Sequence, residues 1–246
     1  QFRDRIVHHL YYNYTHELYE RTFIQDCYSC IPGRGTHYGI KRLAQHIRKE
    51  SNNYQQDCYV LKLDIRGYFM NINREKLLEI STSTLERMSR HRIHKGGREM
   101  WCDVLDMDFL KWLTGEIVLL DPTRDCKFAG RQSDWEGLDA RKSLFKTAKG
   151  CGLPIGNLTS QLLSNVYLNE LDQFMKRVLK CKHYGRYVDD GYAANGSKKW
   201  LLSLVERIRD FLRDCLGLEL HMGKLQVINI KYGVDFLGGF VKPFVN

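Results

Sequence analysis

The chain has 246 residues, of which 43% are hydrophobic, and this suits one large domain or two small subdomains that share a core. Its net charge of +9 suggests a polyanionic partner such as nucleic acid, although an ordinary basic soluble protein has the same balance. No apolar run reaches the roughly 18 residues of a membrane span, and no signal peptide opens the chain. We therefore expect no membrane partner and a cytoplasmic location.

The eight cysteines show little metal-site spacing. Only Cys27 and Cys30 form a CxxC pair, and neither a second pair nor a spaced His pair completes a zinc site. We therefore expect reduced thiols in a cytosolic protein.

The first half of the chain is predicted to be mainly helical around one strand. In chain order we predict a helix over 3–30, a Pro/Gly break over 31–39, a basic helix over 40–49, a strand over 58–65, a mainly helical region over 75–120 and a long loop over 121–150. Asn73 is predicted to cap a helix that begins at Arg74.

The second half alternates helices with short strands. One predicted helix presents an apolar face of Leu163, Tyr167, Leu171, Phe174 and Val178. A hairpin is predicted over 183–194, turning at Asp189-Asp190-Gly191, since Asp-Gly between β-prone arms is a strong hairpin signal. A second amphipathic helix over 198–216 ends at Gly217, and short strands follow around 218–221, 226–231 and 234–241.

This order predicts an α+β fold. A strand at 58–65, a helix, the hairpin, the helix over 198–216 and a strand at 218–221 match the split β-α-β-β-α-β pattern, with 75–150 as an insertion. The first strand and the hairpin are then neighbours in one antiparallel sheet backed by helices.

Three carboxylates meet in this arrangement. Asp64 closes the first strand, and Asp189 and Asp190 sit on the hairpin. Alone, each has a plain explanation as a strand-end acid or a surface turn. Together, like charges on adjacent strands are unfavourable unless a cation lies between them, and carboxylate oxygens suit Mg²⁺. In a basic chain the combination indicates nucleotidyl transfer.

Motifs along nearly the whole chain resemble those of reverse transcriptases. "YVLKLDIRGYF" and "YGRYVDDGYAA" resemble motifs A and C, and the second contains the Tyr-x-Asp-Asp box. The other resemblances are "RDRIVHHLYYNY" and "CIPGRGTHYGIKRL" to the fingers motifs, "GLPIGNLTSQLLSN" to motif B, "GLELHMGKLQ" to motif D and "GVDFLGGF" to the primer grip. The resemblance implies an RNA-directed DNA polymerase with the fingers and palm of a right-hand polymerase.

The same resemblance implies a division of the chain. It assigns part of the fingers to 1–57, the palm strand with the first catalytic Asp to 58–74, and a helical and loop insertion to 75–150. The motif B helix, the YVDD hairpin and the primer-grip-like region make up the palm over 151–246. We expect both ends of a longer protein, and the thumb, to be missing from this sequence.

The resemblance also implies the catalytic centre. Asp64, Asp189 and Asp190 are expected to be catalytic and to hold two Mg²⁺ ions, for which Mn²⁺ can substitute, with the Ile65 carbonyl as an additional ligand. A primer 3′-OH would attack the α-phosphate of a dNTP between the two ions.

Further residues are assigned to substrates by the same resemblance. Those expected to bind the dNTP are Arg34, Phe69 as a steric gate against a ribose 2′-OH, Ile155, Gln161 and Lys224. Phe236, Leu237 and Gly238 are expected to contact the primer backbone. Each role has a simpler alternative. Arg34 and Lys224 could be ordinary solvated side chains, and the phenylalanines could be core residues. The implied partners are an RNA template, a DNA or RNA primer and dNTPs.

Motif B points to one branch of the family. Group II intron and retroviral enzymes place Gln where this chain has Ile155, and "IGNLTSQ" resembles the enzymes of bacterial diversity-generating retroelements. That branch implies error-prone copying at template adenines and a basic accessory protein. Gly191 departs from the bulky apolar residue usual there, so it either sharpens the turn or marks a related branch.

Other functions stay open at this point. Within the polymerase class these are a group II intron-like or a phage-defence-associated reverse transcriptase, the latter with protein-primed or untemplated synthesis. Outside it are a catalytically idle RNA-binding module and a metal-dependent nuclease.

Overall fold

The computed structural model describes residues 2–124, 126, 131–137, 139 and 143–243. The chain divides into two compact units. The first unit comprises Gln1–Thr22 and Gly67–Tyr167, and the second comprises Phe23–Arg66 and Leu168–Asn246.

The elements of the described residues are as follows. The helices are α1 (Phe2–Glu20), α2 (Thr36–Glu50), α3 (Tyr68–Asn71), α4 (Arg74–Ser89), α5 (Trp101–Val104), α6 (Met107–Leu119), α7 (Leu158–Gln173) and α8 (Lys198–Leu216). The strands are β1 (Tyr59–Leu63), β2 (His183–Tyr187), β3 (Asp190–Asn195), β4 (Gln226–Asn229), β5 (Val234–Phe236) and β6 (Gly239–Val241).

The first unit is helical, with α1, α4 and α6 packed against one another. Tyr11 of α1 is fully buried, and its hydroxyl lies 2.9 Å from that of Thr114 in α6. The predicted cap of α4 is confirmed, because the Asn73 side chain accepts a hydrogen bond of 2.9 Å from the backbone N–H of Lys76. The described part of the predicted long loop over 121–150 contains only the short 3₁₀ turns Gln132–Trp135 and Leu144–Lys146.

The second unit is built on a four-stranded antiparallel sheet in the order β2-β3-β1-β4. The prediction that the first strand pairs with the hairpin in one antiparallel sheet is therefore confirmed, since β1 pairs with β3. The predicted closing strand at 218–221 is wrong, because β4 takes that place. Residues 218–221 form only an isolated bridge, Leu220 to Ile65, just beyond the end of β1.

Alternating residues of the sheet build the core of the second unit. Val60, Tyr192 and Ala194 pack with Leu43 and Ile47 of α2 in one cluster of buried residues. Because side chains alternate across a strand, the opposite face is left for α8, which contacts β1, β3 and β4. Helix α8 ends, as predicted, at Gly217, whose φ of 62° is left-handed and whose N–H donates to the Arg213 carbonyl.

Two helix predictions are wrong. The helix predicted over 3–30 stops at Glu20, since Asp26 and Tyr28 exchange backbone hydrogen bonds of 2.9 Å with Arg186. The apolar face predicted to continue to Val178 is also broken. A π-helical turn over Phe174–Val178 adds a residue and rotates the face, so that Val178 is 54% exposed while Met175 is buried.

Within the part of the chain that the structure describes, no helix is both long and apolar enough to cross a membrane. The eight cysteines all lie among the described residues and form no disulfide.

Candidate active site

The hairpin of β2 and β3 carries Asp189 and Asp190. Tyr187 pairs with Asp190, so Val188 and Asp189 form a two-residue turn. The hairpin is where the sequence predicted it, but the turn is not the predicted Asp-Gly. Gly191 instead lies in β3 and pairs with Leu63, and its φ is not positive. The suggestion that Gly191 sharpens the turn is therefore wrong.

Asp64 reaches the hairpin through the register of β1 and β3. The last pair of that register is Leu63 with Gly191, so one step further places Asp64 opposite Asp190. The backbone of Asp64 is also held from the other side, since its carbonyl accepts a hydrogen bond of 2.8 Å from the N–H of His221.

The three carboxylates influence one another electrostatically. Burial, followed by the negative charges of Asp190 and Asp64, raises the pKa of Asp189 to about 6. Burial and then the charge of Asp64 likewise raise the pKa of Asp190. Like charges held together in this way favour a bound cation or a proton. The cluster thus has the electrostatics expected of a cation site.

Lys224 supplies a positive charge to this cluster. Its Nζ lies 2.8 Å from Oδ2 of Asp64, and this hydrogen bond, with the charge of Asp64, raises the pKa of Lys224. The lysine is 61% exposed and Asp64 16%. The resemblance assigns Lys224 to the dNTP and does not predict this contact, since Lys224 and Asp64 lie 160 residues apart in the chain.

The donor set fits a hard divalent cation by its chemistry. Carboxylate and carbonyl oxygens are the ligands that Mg²⁺ prefers, and Asp64, Asp189 and Asp190 provide the carboxylates. Ile65 is bridged to Leu220 through the backbone groups of the residues on either side of it, so its carbonyl is not used by this pairing. Across the described ranges, however, no three His, Cys, Asp or Glu side chains already form a metal-binding group. In this arrangement Lys224 compensates Asp64.

Arg34 lies in the second unit but is engaged with its own loop. Its Nη1 donates hydrogen bonds to the carbonyls of Cys27 at 2.8 Å and Ile24 at 3.3 Å. The side chain is half-buried. The predicted triphosphate contact stays a prediction, and the structure adds a loop-bracing contact to it.

The predicted primer grip forms the β5–β6 hairpin. Leu237 and Gly238 are its two turn residues, with φ of 54° and 79°, the signs expected of a type I′ turn. Phe236 is only 3% exposed, and its ring packs against Tyr192 at a centroid distance of 5.1 Å. The Phe236 side chain thus belongs to the core, and the primer contact of Phe236, Leu237 and Gly238 stays a prediction.

The remaining predicted dNTP-binding residues, Phe69, Ile155 and Gln161, belong to the first unit. The backbone N–H of Leu153 donates to the Phe69 carbonyl at 2.9 Å, so the segment that leads to Ile155 starts beside Phe69. Ile155 is 71% exposed, and Gln161 is exposed in the first turn of α7. Gly152 has φ 94°, a backbone conformation that favours glycine, and a side chain at this position would collide with Leu144.

A buried ion pair escaped the sequence analysis. Arg186 of β2 is 1% exposed and forms a two-pronged contact with Asp172 of α7, which is fully buried. The available signals were a charged residue within a strand and an acid beside apolar Leu171 on a helix. Charge alone, however, predicts solvent exposure.

Comparison with known proteins shows which class of protein this chain is similar to. The family model described as "Reverse transcriptase (RNA-dependent DNA polymerase)" matches residues 119–240. This match includes α7, the Asp189 hairpin and Lys224, while Asp64 lies outside it. The matched segment makes up just under half of the chain and is similar to a reverse transcriptase domain.

Two relatives illustrate the likeness. Protein YkfC of Escherichia coli (strain K12) is 24% identical over 274 residues, which cover 96% of this chain and 60% of that protein. The telomerase of Candida albicans, solved in complex with a TWJ fragment of telomeric RNA, aligns with 97% of this chain and 36% of its own at a TM-score of 0.57 and 13% identity. The chain thus spans less than two thirds of either relative. The predicted α+β polymerase fold is confirmed.

Proposed function

We propose that this protein is an RNA-directed DNA polymerase that extends a primer on an RNA template with dNTPs. The observation that carries the proposal is the register that brings Asp64 of β1 to the hairpin of Asp189 and Asp190. The reverse transcriptase family match and the net charge of +9 support it. Electrostatic attraction to phosphates favours binding of template and primer.

The carboxylates would hold two divalent cations, Mg²⁺ or in its place Mn²⁺, with the Ile65 carbonyl as a further ligand. Bound there, the cations would neutralise the triphosphate and orient the attacking and leaving oxygens. In the chain itself, the Lys224 ammonium already lies beside the proposed cation site, 2.8 Å from the Asp64 carboxylate. When Asp64 is otherwise compensated, the Lys224 ammonium is available to the departing pyrophosphate and can donate a proton to it.

The other substrate roles follow from resemblance and placement. We assign Phe69 to exclusion of the 2′-OH, and Ile155 and Gln161, both exposed, to contacts with the incoming nucleotide. Arg34 is assigned to the triphosphate, since a guanidinium binds phosphate oxygens through several donors. We assign the primer contact to Leu237 and Gly238, which form the turn of the β5–β6 hairpin. The predicted fingers, insertion and palm divisions stay part of this proposal.

Primer extension tests this function. Full-length protein with an RNA template, a DNA primer, dNTPs and Mg²⁺ should produce cDNA, and Asp64→Asn or Asp189→Asn should abolish synthesis. Asp235→Asn is the matched control, because it makes the same chemical change at an exposed position of β5. RNA binding without any extension would instead favour the idle RNA-binding module. Strand cleavage without dNTPs, lost in Asp189→Ala, would favour a nuclease.

We further propose, on the motif B sequence, that the enzyme is the error-prone polymerase of a bacterial diversity-generating retroelement. It would then act in the cytoplasm with a basic accessory protein. The apolar, 71% exposed Ile155 favours this assignment, since it offers a nucleotide shape without a hydrogen bond. Template and variable repeats that differ mainly at adenines should lie in the neighbouring DNA. Their absence would favour the group II intron-like or phage-defence alternatives.

A further inference from the structure

The turn that carries Asp189 has an unusual backbone. Val188 has φ 53°, while the φ of Asp189 is not positive. In a two-residue hairpin loop this sign pattern is that of a type II′ turn, whose first central position is normally Gly. A β-branched residue with positive φ is a genuine outlier and persists only where surrounding contacts hold it.

Hydrogen bonds hold Val188 from both sides of its backbone. Its N–H donates to Oγ of Ser29 at 3.1 Å, and its carbonyl accepts from Nη1 of Arg186 at 2.7 Å. Ser29 is fully buried and Arg186 is 1% exposed, so water does not compete effectively for these contacts. The peptide groups on either side of Val188 are thereby fixed.

Arg186 is itself held by a second layer of contacts. Its Nε and Nη2 donate to the two carboxylate oxygens of Asp172 at 2.8 and 2.7 Å. Tyr184 donates its hydroxyl to the same carboxylate at 2.7 Å. Because the guanidinium is planar, the two hydrogen bonds to Asp172 fix its orientation. In that orientation Nη1 points toward the Val188 carbonyl.

We propose that Ser29 and Arg186, the latter oriented by Asp172, are positioning residues that force the strained Val188 turn and so place the carboxylate of Asp189. The proposal rests on the function proposed above. A buried ion pair adds little net stability over apolar residues of the same volume, which favours a positional reason for keeping it. Loss of the hold lets the turn relax and moves Asp189, while contacts made by the rest of the protein with nucleic acid stay intact.

The test uses full-length protein and the Ser29→Ala variant. Ser51→Ala is the matched control, because Ser51 is also fully buried in the second unit and its hydroxyl accepts a backbone N–H, that of Tyr54, at 2.9 Å. In metal-free protein, hydrogen exchange at the amides of 188–190 should accelerate roughly tenfold in Ser29→Ala and stay unchanged in the control. Unchanged exchange in Ser29→Ala would overturn the proposed hold, whether or not the protein proves to be a polymerase.

Single-nucleotide extension tests the catalytic consequence. Ser29→Ala should lower kcat roughly tenfold with KM for the dNTP within about twofold, because a small misplacement of a reacting group is costly. Arg186→Lys keeps the charge but cannot grip Asp172 and Val188 together, so it should lose more. If the wild type extends the primer and Ser29→Ala has the same kcat, the positioning role is refuted. Failure of the wild type to extend at all would refute the proposed function instead.

Relief of the strain provides a readout that a purely structural role would not change. Gly adopts the first position of a type II′ turn without strain, so Val188→Gly needs the hold less. Ser29→Ala should therefore reduce kcat by a smaller factor in the Val188→Gly background than in the wild type. Equal factors in the two backgrounds would show that Ser29 does not act through the strained turn.

Discussion

The charge cluster of the proposed active site makes a quantitative prediction for Asp189→Asn in metal-free protein. Folding raises the pKa of Asp189 from 3.8 to about 6, through burial and then the neighbouring carboxylates. A shift of about 2 units corresponds to at most about 3 kcal/mol of destabilisation when the group is ionised. Asp189 is partly exposed, and solvent screening reduces this to about 1–2 kcal/mol. The uncharged variant should therefore be more stable than the wild type.

The effect has a defined pH dependence. The folded chain binds the Asp189 proton more tightly than the unfolded chain does, so wild-type stability falls as pH rises from 3.8 through about 6. The Asp189→Asn variant has no carboxyl group at this position, so its stability does not fall in this pH range for that reason. Its Tm should exceed that of the wild type by about 2–8 °C at pH 8, and by less at pH 5.

Thermal unfolding in EDTA at both pH values measures the difference directly. Asp235→Asn is again the control for a loss of charge at an exposed site of the same unit, and it should show little change. A Tm of Asp189→Asn equal to or below that of the wild type at pH 8 would refute the reasoning. So would a gain that is the same at pH 5 and in the control variant.

Three further predictions concern single positions. Gly185→Ala should lower Tm and the free energy of unfolding, by about 1–3 kcal/mol for overpacking, because a methyl group there would overlap the Tyr28 hydroxyl; unchanged denaturant unfolding would contradict this. Gly191→Ala should be tolerated or raise stability by up to about 1 kcal/mol, since its new methyl would meet Leu63 at 3.6 Å, an ordinary contact; clear destabilisation by the same measurement would count against it. Ile155→Gln should reduce misincorporation opposite template adenine, and an identical error spectrum in deeply sequenced cDNA would exclude that role.

Much of the architecture and the candidate carboxylates could be predicted from local patterns. Side-chain periodicity located α8 and β1, and the cap of α4 at Asn73 needs only the residues next to it. The positions of Asp64 and of the Asp189–Asp190 pair on adjacent strands followed from element order, because a split β-α-β-β-α-β arrangement leaves few ways to pair them. These features depend on interactions within one element or on chain connectivity.

Other features were decided by contacts between distant segments. The first helix ends at Glu20 because Asp26 and Tyr28 pair with Arg186, far along the chain. The turn falls at Val188, not at the Asp-Gly pair, because the register of β2 and β3 overrides the preference of Gly191 for turns. Hydrogen bonds made across the fold outweigh local preferences of about 1 kcal/mol per residue.

The details of the proposed active site were likewise decided by contacts between segments that are distant in the sequence. The contact between Lys224 and Asp64 joins an exposed lysine to a strand end, and no local pattern distinguishes that lysine from a solvated one. Arg186 and Asp172 are buried against the expectation for charged residues, and each is tolerable there only because the other is present. Sequence alone determined which carboxylates carry the proposed chemistry. Only the tertiary structure decided what compensates and holds them, since a buried charge is stable only beside a partner that folding brings to it.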